Sequence, residues 1–108
     1  MDETAFETLA GRMIEGLMDR IDEVAGDVLE ADIDGGALSV EVPGGGQYLL
    51  NKHAPNRELW LSSPKSGAAH FAYDQARAAW IDTRGGGDLM QLLEAELSQA
   101  AGRPLGLA

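Results

Sequence analysis

The chain has 108 residues, an ordinary length for one compact domain with one hydrophobic core, so we expect a single domain over residues 1–108. Its 44% of hydrophobic residues suffice for that core, and no apolar run is long enough to cross a bilayer, which predicts a soluble protein. The absence of cysteine excludes disulfides, thiolate metal ligands and a cysteine nucleophile, and the formal charge of −10 makes nucleic acid a poor candidate partner.

The first predicted element is a helix from about Thr4 to Val24. Thr4 and Glu7 have the spacing of a capping box at its start. Apolar residues follow at helical spacing and predict the buried stripe, namely Phe6, Leu9, Met13, Leu17, Ile21 and Val24. Acidic residues project from the opposite side, which therefore faces water.

Short alternating segments then predict a meandering antiparallel sheet. The strands are expected at residues 32–34, 37–42, 47–51, 58–62, 69–73 and 79–82. Asp88 caps a second helix with Leu89, Leu92, Leu93 and Leu97 on its buried side, and Gly102 followed by Pro104 ends it. Strands grouped between two helices indicate an α+β fold rather than alternating βαβ units.

The hairpin formed by residues 47–62 places an aromatic residue among polar ones. Leu59 and Leu61 share one face of its second strand, and Trp60 shares the other face with Glu58 and Ser62. Such a tryptophan either covers a loop or serves as an exposed anchor for a partner, and the pattern leaves both open.

His53 and His70 are the only histidines, and we assign neither a catalytic role. Trp80 is expected to pack in the core or on the sheet.

The negative charge is confined to the first part of the chain. Up to Glu41 the chain has twelve acidic residues and only two basic ones, Arg12 and Arg20. From Val42 onward it has six acidic and six basic residues, so that part carries no net charge. Like charges three and four residues apart on the first helix repel one another and lower its stability. The acids are either a solvated face that maintains solubility or a surface that attracts divalent cations and basic proteins.

The hairpin sequence N-K-x-x-P-N-x-x-x-W-L-S-S-P-x-S-G, from Asn51 to Gly67, resembles the frataxin family, whose bacterial members are called CyaY. The resemblance covers nearly the whole chain, from DETAFETLA through GGALSVEV, AHFAY and AAWID to DLMQLLEAELSQAAG. It implies an α/β sandwich with two helices packed on one face of an antiparallel sheet of five to seven strands.

The resemblance also implies a function. Frataxins bind ferrous or ferric iron weakly on an acidic ridge, and the matching positions here are Glu3, Glu7, Glu15, Asp19, Asp22, Glu23, Asp27, Asp32 and Asp34. They assist or regulate iron–sulfur cluster assembly by docking on a complex of cysteine desulfurase and scaffold protein. The partner-binding residues implied are Asn51, Lys52, Arg57, Trp60 and His70. Gly11 and Arg12 stand where relatives commonly carry an acid, so we expect two acidic clusters instead of a continuous ridge.

The alternative function is a ferroxidase or iron store that oxidises and sequesters ferrous iron. The absence of a Glu-x-x-His motif and of any histidine on the first helix argues against it.

The resemblance implies a monomer, with iron-dependent oligomers as the alternative. The acidic N-terminus resembles no targeting segment, which favours the bacterial cytoplasm, with the mitochondrial matrix as the alternative if a presequence was removed.

Overall fold

A computed structural model describes all 108 residues and contains the two predicted helices and six strands. Their bounds are α1 (Glu3–Ala25), β1 (Glu30–Asp34), β2 (Ala37–Glu41), β3 (Gln47–His53), β4 (Glu58–Ser63), β5 (Gly67–Asp74), β6 (Ala79–Asp82) and α2 (Leu89–Ala101). A short 3-10 helix, Ala54–Asn56, joins β3 to β4. The predicted α+β order is therefore confirmed.

The strands form one sheet in the order β1-β2-β3-β4-β5-β6, and every neighbouring pair is antiparallel. In the β3–β4 hairpin Leu50 lies opposite Leu61, and Asn51 lies opposite Trp60. Because side chains alternate along a strand, this register gives the sheet two chemically different faces. The inner face is buried together with residues of both helices in one core, and the outer face, here called the open face, has no helix on it.

Helix α1 packs on the inner face through residues that recur every three or four positions. Its buried residues are Phe6, Ala10, Ile14, Leu17, Ile21 and Ala25, so the stripe is centred slightly to one side of the predicted one. The predicted capping box is wrong, because Asp2 is the N-cap and its Oδ1 accepts a 2.7 Å hydrogen bond from the Ala5 N–H. Thr4 already lies inside the helix, and a carboxylate is favourable at the positive end of the helix dipole.

Trp80 is part of the core, which confirms its predicted packing role, and its side chain joins α1 to the sheet. It is only 5% exposed, and Phe6 of α1 meets it edge to face at a centroid distance of 6.0 Å. Tyr73 on the neighbouring strand packs against it at 5.2 Å and an interplanar angle of 62°. These tilted contacts suit aromatic quadrupoles and tie one end of α1 to β5 and β6.

A glutamate on α2 holds the C-terminal segment. Helix α2 ends at Gly102, whose φ of 76° reverses the chain without the strain that a side chain would cause. The chain then folds back so that the carboxylate of Glu94 accepts hydrogen bonds from the backbone N–H groups of Leu105, Gly106 and Leu107. The Leu107 bond contributes most to lowering the pKa of Glu94 below its ordinary value, since these bonds favour the charged form. The same contacts bring Leu105 into the core.

A second glutamate of α2 fastens that helix to the sheet. The carboxylate of Glu96 accepts hydrogen bonds from the hydroxyls of Tyr48, at 2.8 Å, and Ser63, at 2.7 Å. Burial, followed by the bond to Glu96, raises the pKa of Tyr48 to about 12. Burial alone would raise the pKa of Glu96, but the hydrogen bonds outweigh it and the pKa is lowered. The carboxylate of Glu96 therefore has hydrogen-bond partners where α2 meets the inner face of the sheet.

We predict that Glu94→Gln lowers the melting temperature at pH 7 by several degrees, because an amide offers one acceptor oxygen to a set of donors that needs a carboxylate. The pKa of Glu94 is lower in the folded than in the unfolded protein, so its stabilisation is complete above the ordinary pKa of 4.5 and is lost as the pH falls through the folded value. The acid branch of the stability curve should therefore be shallower in the variant. The measurement is thermal unfolding between pH 3 and pH 7.

The matched control is Glu15→Gln, which removes the same charge from an exposed position on α1. That variant should melt no lower than the parent protein. Equal losses of stability in both variants would show that net charge, and not the anchoring of the C-terminal segment, is responsible.

Candidate interaction surfaces

Three aromatic rings lie stacked on the open face. Trp60 is the middle ring, with His53 on one side at a centroid distance of 3.8 Å and His70 on the other at 4.2 Å. The interplanar angles are 7° and 6°, so the three rings are almost parallel. We call these three residues the ring stack. It arises because His70 lies directly opposite Trp60 on β5, whereas His53 is two residues beyond Asn51, the partner of Trp60 on β3.

Glu58 supports the ring stack from within the same strand. Its Oε1 accepts a 2.9 Å hydrogen bond from the indole Nε1–H of Trp60 and lies 3.9 Å from Nδ1 of His70. The Glu58 side chain is only 17% exposed, so this carboxylate is largely buried. The sequence showed that Glu58 and Trp60 share a face but gave no sign that His53 belongs with them. A histidine at the end of β3 joins the stack only through the hairpin register.

The other predicted partner-binding residues do not all share the open face. Asn51 is exposed there, next to Trp60. Lys52 points to the opposite side, where its Nζ is 2.8 Å from a carboxylate oxygen of Glu7 on α1. Arg57, at the hairpin tip, has a left-handed backbone (φ 55°) and its guanidinium donates to the carbonyl of Ala54. The structure thus brings Asn51, Trp60 and His70 together and places Lys52 apart from them.

The predicted iron-binding acids occupy two differently oriented surfaces. Exposed acids of α1 line the helix layer, including Glu15, Asp19, Asp22 and Glu23. Asp32 and Asp34 lie on the edge strand β1 and alternate with Ala31 and Ile33, which pack against the core. The two aspartates therefore face the open side of the sheet, whereas the helix acids lie on the solvent side of the helix layer that covers the other face.

Several of these acids are paired with bases. Glu7 pairs with Lys52, Glu23 with Arg20 at 3.0 Å, and Asp27 with Arg103 at 2.5 Å. The hydrogen bond from Arg103 is the main reason that the pKa of Asp27 is lowered and that of Arg103 is raised. No such ion pair involves Glu3, Glu15, Asp19, Asp22, Asp32 or Asp34, so these carboxylates carry most of the uncompensated negative potential.

Two further acids at the sheet edge were not among the predicted iron-binding residues. Glu30 and Glu41 lie directly opposite each other in the β1–β2 pair, and with Asp32 they border a shallow hollow on the open face. Like charges directly opposite each other in a sheet are destabilising, and the two adjacent carboxylates add to the negative potential at this edge. The alternation of polar and apolar residues from Glu30 to Asp34 could have placed Glu30 on the same face as Asp32. That Glu41 lies opposite Glu30 followed only from the strand register.

The acids do not form a preformed chelating cage. No three histidine, aspartate or glutamate side chains converge in the geometry of a bound metal ion. The acidic surface is therefore an extended field of hard oxygen donors, which suits weak and partly hydrated cation binding.

No helix in the structure is long and apolar enough to cross a membrane.

An α+β sandwich with two helices on one side and an open sheet face on the other is the architecture of the frataxin structures. The solved frataxin of Psychromonas ingrahamii superposes with a TM-score of 0.88, covering 100% of this chain and 99% of that one at 22% identity. Yeast frataxin complexed with ferrous iron superposes with a TM-score of 0.72 at 27% identity, covering 95% and 88% of the two chains.

Sequence comparison leads to the same family. The protein-family model described as a frataxin-like domain matches residues 1–103 of this chain. The iron–sulfur cluster assembly protein CyaY of Cupriavidus metallidurans is 36% identical over 99% of this chain and 96% of its own length. The mitochondrial frataxin of Arabidopsis thaliana is 37% identical, and the chain spans 60% of that longer protein. This chain therefore belongs to the frataxin family.

We predict that the two tryptophans differ in their importance for folding. Trp60→Ala removes two stacked pairs, each worth about 0.5–1.5 kcal/mol, so it should lower the free energy of unfolding by about 1–3 kcal/mol. Trp80→Ala opens a cavity in the core and should cost about 3–5 kcal/mol. Urea denaturation of both variants makes the comparison. Equal losses would assign Trp60 to the core in place of the open face.

We also predict that Asp19→Asn stabilises the protein. Asp19 lies three or four residues from Glu15, Asp22 and Glu23, and each like-charged helical pair costs about 0.2–0.5 kcal/mol. The melting temperature should rise, and the increase should shrink as added salt screens the repulsion. The control is Asp74→Asn, which removes an equal charge that Arg77 already compensates. Stabilisation of both variants to the same extent would make net charge the cause rather than local repulsion on α1.

Proposed function

We propose that this protein binds iron on its acidic surface and assists or regulates iron–sulfur cluster assembly by docking on a complex of cysteine desulfurase and scaffold protein. The observation that carries the proposal is that two distinct recognition surfaces coexist on one small domain. One is the uncompensated acidic field of α1 and the β1 edge, and the other is the ring stack on the open face.

The acidic field supports iron binding and recognition of a basic protein surface. Carboxylates without histidine or cysteine are hard donors, which accept ferrous or ferric iron but hold it loosely at a surface. The same charges speed association with a positively charged partner. Relatives support this proposal, since one yeast frataxin was solved as a ferrous complex and the names of the Cupriavidus and Neisseria proteins describe iron–sulfur cluster assembly.

The open face supports docking on the scaffold protein. Aromatic residues are enriched in protein interfaces, and a tryptophan held on an uncovered sheet is placed to act as an anchor. Asn51 lies beside Trp60 and offers an exposed amide for hydrogen bonds. We propose that Asn51, Trp60 and His70 contact the scaffold, and that Arg57 contributes positive charge at the hairpin tip.

The bacterial cytoplasm is the proposed compartment, with the mitochondrial matrix as the alternative. Bacterial CyaY proteins and mitochondrial frataxins both match the chain at similar identity. We propose a monomer, with iron-dependent oligomers as the alternative, and the trimeric yeast frataxin structure supports the formation of oligomers.

The test is sulfide production by a cysteine desulfurase with its scaffold protein, measured with and without this protein and ferrous iron. We expect a change in rate whose sign shows whether the protein activates or slows assembly. Trp60→Ala should weaken binding to the scaffold by at least about 2 kcal/mol, or roughly 30-fold in Kd. The control is Val28→Ala, which trims an exposed apolar residue on the turn after α1 and should bind like the parent protein.

The triple variant Glu15→Gln, Asp19→Asn and Asp22→Asn tests the acidic field and leaves the Arg20–Glu23 ion pair in place. It should bind ferrous iron and the desulfurase less tightly while retaining affinity for the isolated scaffold. An unchanged rate of sulfide production with the parent protein would overturn the proposed function. Oxidation of ferrous iron accompanied by assembly into large particles would then identify a ferroxidase or iron store.

A further inference from the structure

We propose that His53 and His70 position Trp60 so that a partner meets the edge of the indole and not its flat faces. This inference rests on the proposed docking of the open face. It concerns the manner in which the tryptophan is recognised and the shape of the partner surface that fits it.

Both flat faces of the indole are already occupied. The imidazole rings lie 3.8 Å and 4.2 Å from the indole centroid and are tilted by only 7° and 6°. These are van der Waals separations, so neither an aromatic ring nor a guanidinium group of a partner can enter between them. The two histidines come from β3 and β5, the strands on either side of β4, and therefore enclose Trp60 from both sides.

The polar part of the indole is also occupied. The Nε1–H of Trp60 donates to Glu58, whose side chain is largely enclosed. Side chains on a strand stand roughly perpendicular to the sheet, so the stacked rings present their edges to the outside. The part of Trp60 left for a partner is the hydrocarbon edge of the indole. A narrow apolar slot fits this edge, whereas a hydrogen-bond acceptor or a cationic side chain does not.

The histidines act here as flat rings. Nδ1 of His53 is buried and has no hydrogen-bond partner, and Nδ1 of His70 is 3.9 Å from Glu58, which exceeds hydrogen-bond distance. Shape and stacking therefore hold Trp60, and a phenylalanine in place of either histidine should hold it equally well. A leucine has similar apolar character but no flat face, and it should release the indole.

The experiment combines two readouts on the full chain, both taken at one fixed pH. In the free protein, the ring protons of His53 and His70 should be shifted upfield in NMR spectra by the indole ring current, and Trp60→Leu should abolish the shift. Binding to the scaffold protein is then measured for two variants of His53, which is not one of the proposed scaffold contacts. His53→Phe should keep the parent Kd, whereas His53→Leu should weaken binding about tenfold.

Addition of the scaffold protein distinguishes edge-on from face-on recognition. The upfield shifts should persist in the complex, because the stack stays closed. Their return toward the values of solvent-exposed histidine would show that a partner takes one face of the indole, and would overturn the proposal. Parent-like binding by His53→Leu, or normal histidine shifts in the free protein, would also overturn it.

The proposed function can fail separately. If the parent protein does not bind the scaffold, docking is wrong, and edge-on recognition of Trp60 by that partner is wrong with it. The ring shifts of the free protein still decide whether the two histidines hold the indole.

Discussion

The structure depends on one constraint, which is that helices cover only one face of the sheet. Side chains alternate along each strand, so Leu59 and Leu61 enter the core, whereas Glu58, Trp60 and Ser62 are left on the open face. Trp60 therefore cannot reach the core. Its large apolar surface is covered instead by His53 and His70, which are themselves excluded from the core by the same alternation. A slip of one residue in the β3–β4 register would exchange the two sets.

The packing of α1 has to overcome the repulsion among its own charges. Burial of a large side chain such as Phe6, Ile14 or Ile21 contributes about 1.5–3 kcal/mol. A like-charged pair on the helix surface costs a few tenths of a kcal/mol, and an exposed ion pair contributes at most about 1 kcal/mol. The apolar stripe therefore decides that α1 folds onto the sheet. The ion pairs Glu7–Lys52 and Asp27–Arg103 fasten positions near its two ends, which leaves the middle of the helix free to remain strongly acidic.

The distance between the ring stack and most of the acids makes the proposed function physically consistent. A rigid aromatic surface and a field of hard carboxylates would interfere with each other if they were mixed, because charged groups at the centre of an interface are costly to desolvate. Here the ring stack occupies the middle strands β3 to β5, and the acids occupy α1 and the edge strand β1. Asp32 and Asp34 share the open face with the ring stack, so a partner spanning the sheet toward β1 would meet both surfaces.

The sequence by itself determined the element order, the approximate apolar side of each helix, the concentration of charge before Val42 and the position of Trp60 on the polar face of its strand. These properties follow from the periodicity and the composition of consecutive residues. It could not determine that His53 and His70 enclose Trp60, that Lys52 turns toward Glu7, or that Glu30 lies opposite Glu41. Nor did it show that Glu94 captures the C-terminal segment. Each of these contacts joins residues from different elements, and only the strand register and the packing of helices on the sheet bring such residues together.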